Sequence, residues 1–250
     1  MLHKNGHKFR LLLLLITLVG AFPVSAAAAE IRVAVASNFR TAMTAIAERF
    51  EATSEHRLLL ASGATGKHYA QIKNGAPFDV FLAADRKRPM MLEQEGIAIP
   101  GSRFTYATGK LVLWAPGKRA VDDAALRDVT PHRVAIANPR LAPYGAAAKE
   151  TLEALGLWAD LQPQLVRGEN IAQAFQFVHS GNATLGLVAW SQLKQPHQVI
   201  RGAVWTVPSS LYTPLEQQAV VLNDSSAVRA FVRFLKSTEV QELLRAYGYD

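Results

Sequence analysis

The chain has 250 residues, a formal net charge of +7 and no cysteine. The lack of cysteine excludes disulfides, thiol nucleophiles, Cys-ligated zinc and iron–sulfur clusters, and a chain of this length can bury a core that needs no disulfides. The charge is only mildly basic, and the sequence lacks the Lys/Arg stripe interleaved with aromatic residues that nucleic-acid binders use. We therefore expect no nucleic-acid partner.

Residues 1–29 have the pattern of a secretory signal peptide. Lys4, Lys8 and Arg10 precede the apolar run LLLLLITLVGAF, and the small residues that follow predict cleavage after Ala26 or Ala29. The apolar run is shorter than the roughly 20 residues of a membrane-spanning helix, which favours export over a membrane anchor. Removing these 29 of 250 residues leaves 221 and takes away three basic residues and no acidic one, so the net charge decreases from +7 to +4.

Apolar β-like runs alternate with amphipathic segments along the rest of the chain. The predicted strands are Ile31–Ala36, Leu58–Ala61, Phe78–Ala84, Lys110–Ala115, Val134–Ala137, Leu185–Val188 and Ala219–Leu222. The first predicted helix has the apolar face Phe39, Met43, Ile46 and Phe50. Further helices are predicted near Gly145–Leu155 and Ile171–Val178, and two more close the chain, the second beginning at Thr238.

Near-continuous apolar strands separated by helices predict an α/β chain with parallel sheets covered on both faces. In such sheets ligands bind outside the carboxyl ends of the strands. The segments Gly96–Gly109 and Gly202–Pro214 contain Gly and Pro and are the candidate crossings between two lobes.

The turn Ser62–Gly66 lies between a predicted strand and a helix-like segment. It places hydroxyls and backbone N–H groups at a helix N-terminus, where the helix dipole favours an anion. Lys67 after this turn invites comparison with a phosphate-binding P-loop. That motif needs Gly five residues before the Gly-Lys pair and Ser or Thr after it, and these positions hold Ala61 and His68. The turn therefore predicts a small-anion site that is not a P-loop.

Three further strand-to-helix junctions have a similar composition, at residues 36–39, 138–145 and 167–171. Each also has a purely structural interpretation. Ser37 or Asn38 could cap the next helix, and Pro143 suits the first turn of a helix.

Taken together, the four junctions resemble the molybdate-binding proteins of bacterial ABC transporters, which are periplasmic solute-binding proteins with a type II binding-protein fold. The resemblance runs from Ile31 to Tyr249 and rests on the segments VAVASNF, GATGKHYAQIKNGAPFDVFLAAD, ATGKLVLW, NPRLAPYGAAAKETLEALGLW, RGENIAQAFQFVHSGNATLGLV and FVRFLKSTEVQELLRAYGY. It implies a bilobal α/β fold with two mixed, mostly parallel sheets flanked by helices and a ligand cleft between the lobes. Lobe I would comprise residues 30–108 and about 213–250, and lobe II about 109–212.

The resemblance also implies a set of ligand-binding residues. The first junction would contribute the Ser37 hydroxyl with Asn38 as a second donor, and the second junction the Thr65 hydroxyl. The third would contribute Tyr144 and the fourth the backbone N–H of Ile171. Molybdenum would be held only as its oxyanion through these residues, with no catalytic residue and no cofactor.

One position departs from the family pattern. In several relatives a tyrosine after the late Leu-Gly-aliphatic-Val strand donates its hydroxyl to the anion, whereas here Ala189 follows Val188. We hypothesise that the Tyr144 phenol replaces that donor.

The implied function is capture of molybdate, and of tungstate, in the periplasm by a monomer that delivers the anion to the membrane permease of an ABC transporter. Binding of sulfate, phosphate, thiosulfate or a small organic acid is the alternative within the same fold. An exported enzyme is disfavoured, because the sequence has no Gly-x-Ser-x-Gly elbow and no His–carboxylate spacing typical of catalysis.

Other polar residues near the junctions have structural interpretations. We expect Lys67 to be a solvated first-turn residue and Asp85 to cap the segment Arg86–Glu93. The histidines lack metal-ligand spacing; they include His68, His132, His179 and His197.

Overall fold

The computed structural model describes residues 28–128 and 133–250. Most of the predicted signal peptide, and with it the cleavage prediction at Ala26, lies outside these ranges, as does His132. Within them the strands are β1 (Glu30–Ala36), β2 (Arg57–Gly63), β3 (Val80–Leu82), β4 (Phe104–Gly109), β5 (Leu111–Ala115), β6 (Val134–Ala137), β7 (Leu165–Gly168), β8 (Leu185–Ala189), β9 (Ala203–Thr206) and β10 (Leu215–Val221).

The helices are α1 (Arg40–Thr53), α2 (Thr65–Lys73), α3 (Lys87–Gln94), α4 (Pro143–Ala154), α5 (Ile171–His179), α6 (Trp190–Leu193), α7 (Ser226–Leu235) and α8 (Thr238–Ala246). Short 3₁₀ turns join several elements, including Ser37–Phe39 between β1 and α1. In the described ranges no helix is both long and apolar enough to span a bilayer.

The strands form two five-stranded mixed sheets. The first has the order β2-β1-β3-β10-β4 and the second the order β7-β6-β8-β5-β9. In each sheet two pairings are parallel and two antiparallel. The sheets are thus mixed as predicted but less parallel than expected, because β10 in the first sheet and β5 in the second run against their neighbours.

Each sheet is the centre of one lobe with its own core. In the first lobe α1 packs on the sheet and contacts α7 and α8, and its predicted apolar face is fully buried, with Phe39, Met43 and Ile46 each 0% exposed. In the second lobe α4 and α5 cover strands whose residues are buried along their whole length, as in Val134–Ala137 and Leu185–Ala189.

The chain passes between the lobes twice. It leaves the first sheet at Gly109 and enters the second at Leu111, and it leaves the second sheet at Thr206 and returns to the first at Leu215. Since β4 and β5 are separated by one residue, the first crossing is short. The carboxyl ends of β1, β2, β6 and β7 are each followed by a helix or a 3₁₀ turn, and these four junctions face the cleft between the lobes.

Candidate anion-binding site

A small cavity lies between the lobes where the four junctions meet. The space between the lining atoms, counted together with its opening to solvent, is about 180 Å³. The lining residues carry no charge; they are Ala36, Ser37, Asn38, Gly63, Ala64, Thr65, Ala84, Ala142, Pro143, Tyr144 and Ile171. The five residues named from the sequence are all in this lining, although their role as ligands stays a prediction.

Two of the helices that begin at the cavity have no side-chain cap. The N-cap residues of α2 and α4 are Ala64 and Ala142, neither of which has a side chain that can accept a hydrogen bond from the first turn. Pro143 then occupies the first position of α4, where its missing N–H removes no helical bond. The backbone N–H groups of Thr65 and Tyr144 consequently have no acceptor among the described residues.

The third helix at the cavity, α5, is capped in a way that also leaves one donor unused. The Asn170 side chain accepts from the N–H groups of Ala172 and Gln173, at 2.9 and 3.1 Å. The N–H of Ile171 is left without an acceptor in the described part of the chain. The sequence prediction of Ile171 as a backbone donor is compatible with this cap.

These three helix starts are buried, with Thr65 and Tyr144 each 1% and Ile171 2% exposed. A buried donor that lacks a partner costs about 1–3 kcal/mol, and native structures rarely leave one unpaired. Three such N–H groups around one uncharged cavity, each at the positive end of a helix dipole, form a site whose chemistry fits an anion with several oxygen acceptors.

The hydroxyls at the cavity add side-chain donors. Thr65 Oγ1 accepts from the N–H of Ala84 at 3.1 Å, so its own proton remains available for another acceptor. The Ser37 hydroxyl has no hydrogen-bond partner among the described residues, and the residue is 9% exposed. Both hydroxyls are therefore free to donate into the cavity.

The side chain of Asn38 is engaged by the protein itself. Its Nδ2 donates to Gln217 Oε1 at 2.9 Å and to Tyr249 Oη at 3.1 Å. An amide nitrogen has two hydrogens, and these two bonds use both. A contribution of Asn38 to an anion, which the sequence predicts without specifying the donor group, would accordingly come from its backbone N–H and not from its side-chain amide.

The phenol of Tyr144 reaches from the second lobe to the crossing between the lobes. Its Oη accepts from Gln217 Nε2 at 3.3 Å, and no acceptor for its proton is found among residues 28–128 and 133–250. Burial raises the pKa of Tyr144 well above its usual value, so the phenol is neutral and cannot repel an anion. These contacts leave the hypothesis that Tyr144 replaces the donor missing at Ala189 open to test.

Ala189 has a structural role at the end of β8. Its N–H donates to Gln192 Oε1 at 3.0 Å, and Gln192 Nε2 donates to the carbonyl of Ile171 at 3.1 Å. Through these two hydrogen bonds Gln192 connects the start of α5 to the end of β8. Sequence reasoning missed Gln192, because nothing in the local pattern indicates that α6 lies beside α5.

The lobes are in direct contact across the mouth of the cavity. Gly66 N donates to Leu141 O at 2.8 Å, and Lys67 Nζ lies 2.9 Å from Glu169 Oε1. Lys67 has more than half of its side chain exposed and is not part of the cavity lining. It thus bridges the lobes at the surface, a role that the sequence did not predict.

Asp85 and the histidines of the described ranges lie outside the lining of the cavity. Asp85 Oδ1 accepts from the N–H of Arg88 at 3.0 Å, at the start of α3, and its carboxylate pairs with the Arg88 guanidinium. The capping role predicted for Asp85 is confirmed. Within the described ranges no cluster of His, Cys, Asp and Glu is able to hold a metal ion.

Comparison with known proteins places this chain in a family. The model of the bacterial extracellular solute-binding proteins matches residues 31–250, and the chain belongs to that family. A protein of Azotobacter vinelandii named molybdate-binding protein ModA is 48% identical over 235 residues, which cover 92% of this chain and 93% of the relative. The protein of the same name from Rhodobacter capsulatus is 45% identical over 239 residues, covering 94% and 93%.

Solved structures agree with the two-lobed periplasmic-binding-protein fold. The structure of the periplasmic molybdate-binding protein of Azotobacter vinelandii matches with a TM-score of 0.83 and 38% identity, covering 88% of this chain and 98% of that one. The sulfate-binding protein SubI of Mycobacterium tuberculosis matches with a TM-score of 0.68 at 15% identity, covering 88% and 86%. At that identity the match shows the fold alone.

Proposed function

We propose that this protein binds molybdate in the periplasm and delivers it to the membrane permease of an ABC transporter. The observation that carries the proposal is the buried, uncharged cavity at which three helix N-termini present unpaired N–H groups. The relatives named for molybdate binding, at 48% and 45% identity over nearly the whole chain, support the choice of anion.

The site suits a fully ionised oxyanion. Hydrogen bonds from neutral donors to an ionised acceptor are roughly twice as strong as those between neutral groups, and helix N-termini add positive potential without a mobile counter-ion. Among the residues that the structure describes, no carboxylate lines the cavity. A monohydrogen phosphate would bring a hydroxyl with no carboxylate to accept its proton, and this mismatch favours the molybdate dianion.

The same cavity supports the rest of the proposal. Tungstate has the shape and charge of molybdate, so we propose that it binds too, as an oxyanion held by Ser37, Asn38, Thr65, Tyr144 and Ile171. The described lining contains the hydroxyls of Ser37, Thr65 and Tyr144 but no His, Asp, Glu or Lys to act as the general base that would activate one of them as a nucleophile. We therefore propose a binding protein without catalysis, and as part of the same proposal it acts as a monomer and needs no cofactor.

Closure of the lobes around the anion would precede docking on the permease, since hinge closure around a ligand is the usual motion of periplasmic binding proteins. The contacts across the mouth of the cavity, from Gly66 to Leu141 and from Lys67 to Glu169, support a liganded state in which both lobes enclose the anion.

Thermal unfolding of the mature chain with a panel of anions tests the proposal, because a ligand that binds only the native state raises the melting temperature. Molybdate, tungstate, sulfate, phosphate and thiosulfate are compared at equal ionic strength, with sodium chloride as the control. Molybdate and tungstate should raise the melting temperature at concentrations at which the other anions do not. A shift with sulfate, phosphate or thiosulfate alone would contradict the assignment.

A further inference from the structure

Gln217 lies in the middle of β10, where the strand is irregular. The register between β10 and β4 shifts between Gln217 and Gln218, and such bulges turn a side chain away from the direction that a regular strand would give it. Gln217 is 0% exposed and is not part of the cavity lining. A fully buried amide beside the crossing between the lobes needs partners for all its polar atoms.

The Gln217 side chain finds its partners on both lobes. Its Oε1 accepts from Asn38 Nδ2 at 2.9 Å and from Tyr106 Oη at 3.1 Å, both in the first lobe. Its Nε2 donates to Tyr144 Oη of the second lobe at 3.3 Å. One amide thus joins the first junction of the cavity to the third.

The contact with Tyr144 is made at the crossing itself. A Cβ added to Gly109, the last residue of β4, would lie 2.1 Å from Tyr144 Oη and 2.6 Å from Gln217 Nε2. Only glycine leaves room there for the phenol and the amide to meet. The bond joins the lobes in this closed arrangement, because Gln217 lies in β10 of the first lobe and Tyr144 at the start of α4 in the second.

Further bonds fix the backbone of the first junction. The carbonyl of Asn38 accepts from Tyr249 Oη at 2.9 Å and from Ser191 Oγ of the second lobe at 3.2 Å. Together with the Gln217 amide, these bonds hold both the main chain and the side chain of Asn38. The position of Asn38 in the cavity lining therefore depends on a network that spans the lobes.

We propose that Gln217 is a positioning residue of the anion site. This inference rests on the proposed function. Gln217 does not touch the anion; it aligns the first and third junctions with each other when the lobes close, and so stabilises the liganded state. It also makes Tyr144 Oη an acceptor, which leaves the phenolic proton for a different partner.

The test is a double-mutant cycle on molybdate binding with Gln217→Met and Tyr144→Phe. Methionine has a similar length but cannot replace the three hydrogen bonds. Loss of buried hydrogen bonds of this kind should weaken binding about 10- to 100-fold. Because the bond forms on closure, the dissociation rate should rise and the association rate should change by less than about threefold. The control is Gln218→Met, because the neighbouring Gln218 amide hydrogen-bonds to Arg103 and Thr105 and to no described residue of the second lobe.

The cycle separates positioning from a merely structural role. The expected result is that the double variant binds more tightly than the product of the two single effects predicts, because both variants remove the same bond, and that the unliganded melting temperature of Gln217→Met matches that of the control. Independent, multiplicative effects, or binding by Gln217→Met within about threefold of wild type, would overturn the proposal. If Gln217→Met does not fold, Tyr144→Phe alone breaks the same bond, and unchanged dissociation in that variant would also overturn it.

The wild-type chain is titrated first. If it fails to bind molybdate, the proposed function fails. If it binds molybdate and the Gln217 variant binds equally well, only the positioning role fails.

Discussion

Replacing Gly66 by alanine should weaken anion binding without weakening the fold. Gly66 is the second residue of α2 in the first lobe, and its N–H donates to the carbonyl of Leu141 in the second lobe at 2.8 Å. A Cβ at this position would lie 2.9 Å from Leu141 O and 3.2 Å from Leu141 Cα. Arg88 Nη2 of the first lobe would lie 3.0 Å away, but it is the end of a flexible side chain that can shift. The clash that cannot be relieved in this way is with the main chain of the other lobe, so it arises only when the cleft is closed.

The size of the effect follows from two losses in the closed state. The hydrogen bond to Leu141 contributes about 0.5–1.5 kcal/mol, and overpacking costs about 1–3 kcal/mol. A total of about 2–4 kcal/mol corresponds to a roughly 30- to 1,000-fold rise in Kd. In the unliganded, open protein the substitution should be neutral or stabilising, because alanine is a better helix former than glycine by about 1 kcal/mol.

The assay combines a molybdate titration with unliganded thermal unfolding, for Gly66→Ala and for Gly117→Ala as a matched control. Gly117 is exposed, and a Cβ there meets nothing within 4 Å. The control should bind like wild type. Unchanged affinity of Gly66→Ala, or a fall in its unliganded melting temperature parallel to the loss of affinity, would refute the reasoning that the clash acts between the lobes.

Three further predictions concern side chains around the cavity. Thr65→Val should weaken molybdate binding by roughly 10- to 100-fold, since it removes a donor and leaves the buried N–H of Ala84 unpaired. Thr65→Ser keeps the hydroxyl and should bind within about threefold of wild type. Equal affinities of the two variants would show that the hydroxyl of residue 65 does not bind the anion. Lys67→Ala should change the Kd less than about fivefold, because the Lys67–Glu169 pair is exposed, and a larger loss would place Lys67 at the anion. Burial lowers the pKa of His68 below its usual 6.5, and a hydrogen bond with Gln71 opposes this effect only in part. Below pH 6.5 the unfolded chain therefore takes up a proton at His68 more readily than the folded chain. The free energy of unfolding should accordingly be highest above pH 6.5 and decrease below it. His68→Gln should flatten that pH dependence in chemical denaturation, and an unaltered profile would exclude His68 as its source.

Much of the fold follows from local patterns in the chain. The apolar face of α1 and the start of α8 at Thr238 are where the helical period and the polar residues predict them. Strands β4, β7 and β9 were missed, because they are short or only partly apolar, as in Leu165–Gly168 and Ala203–Thr206. The antiparallel directions of β5 and β10 could not be read from composition either, since a buried strand is apolar in both directions.

The candidate site was likewise only partly predictable from the sequence. The junctions that bring Thr65, Tyr144 and Ile171 to one cavity are visible in the sequence as turns that precede helices. The partners behind the cavity are not, because they are distant in the chain: Gln217 is 179 residues from Asn38, and Glu169 is 102 residues from Lys67. Nothing in the local sequence shows that a glutamine within a strand is buried. The hydrogen bonds of the Asn38 side chain are therefore visible only in the folded structure.

Anomalous diffraction from crystals of the mature protein grown with molybdate, recorded at the molybdenum edge, tests the central claim most directly. The account predicts one molybdenum peak per chain, inside the cavity bounded by Ser37, Thr65, Tyr144 and Ile171, with the N–H groups of the last three directed at its oxygens. Peaks only at the protein surface, with none in this cavity, would contradict it.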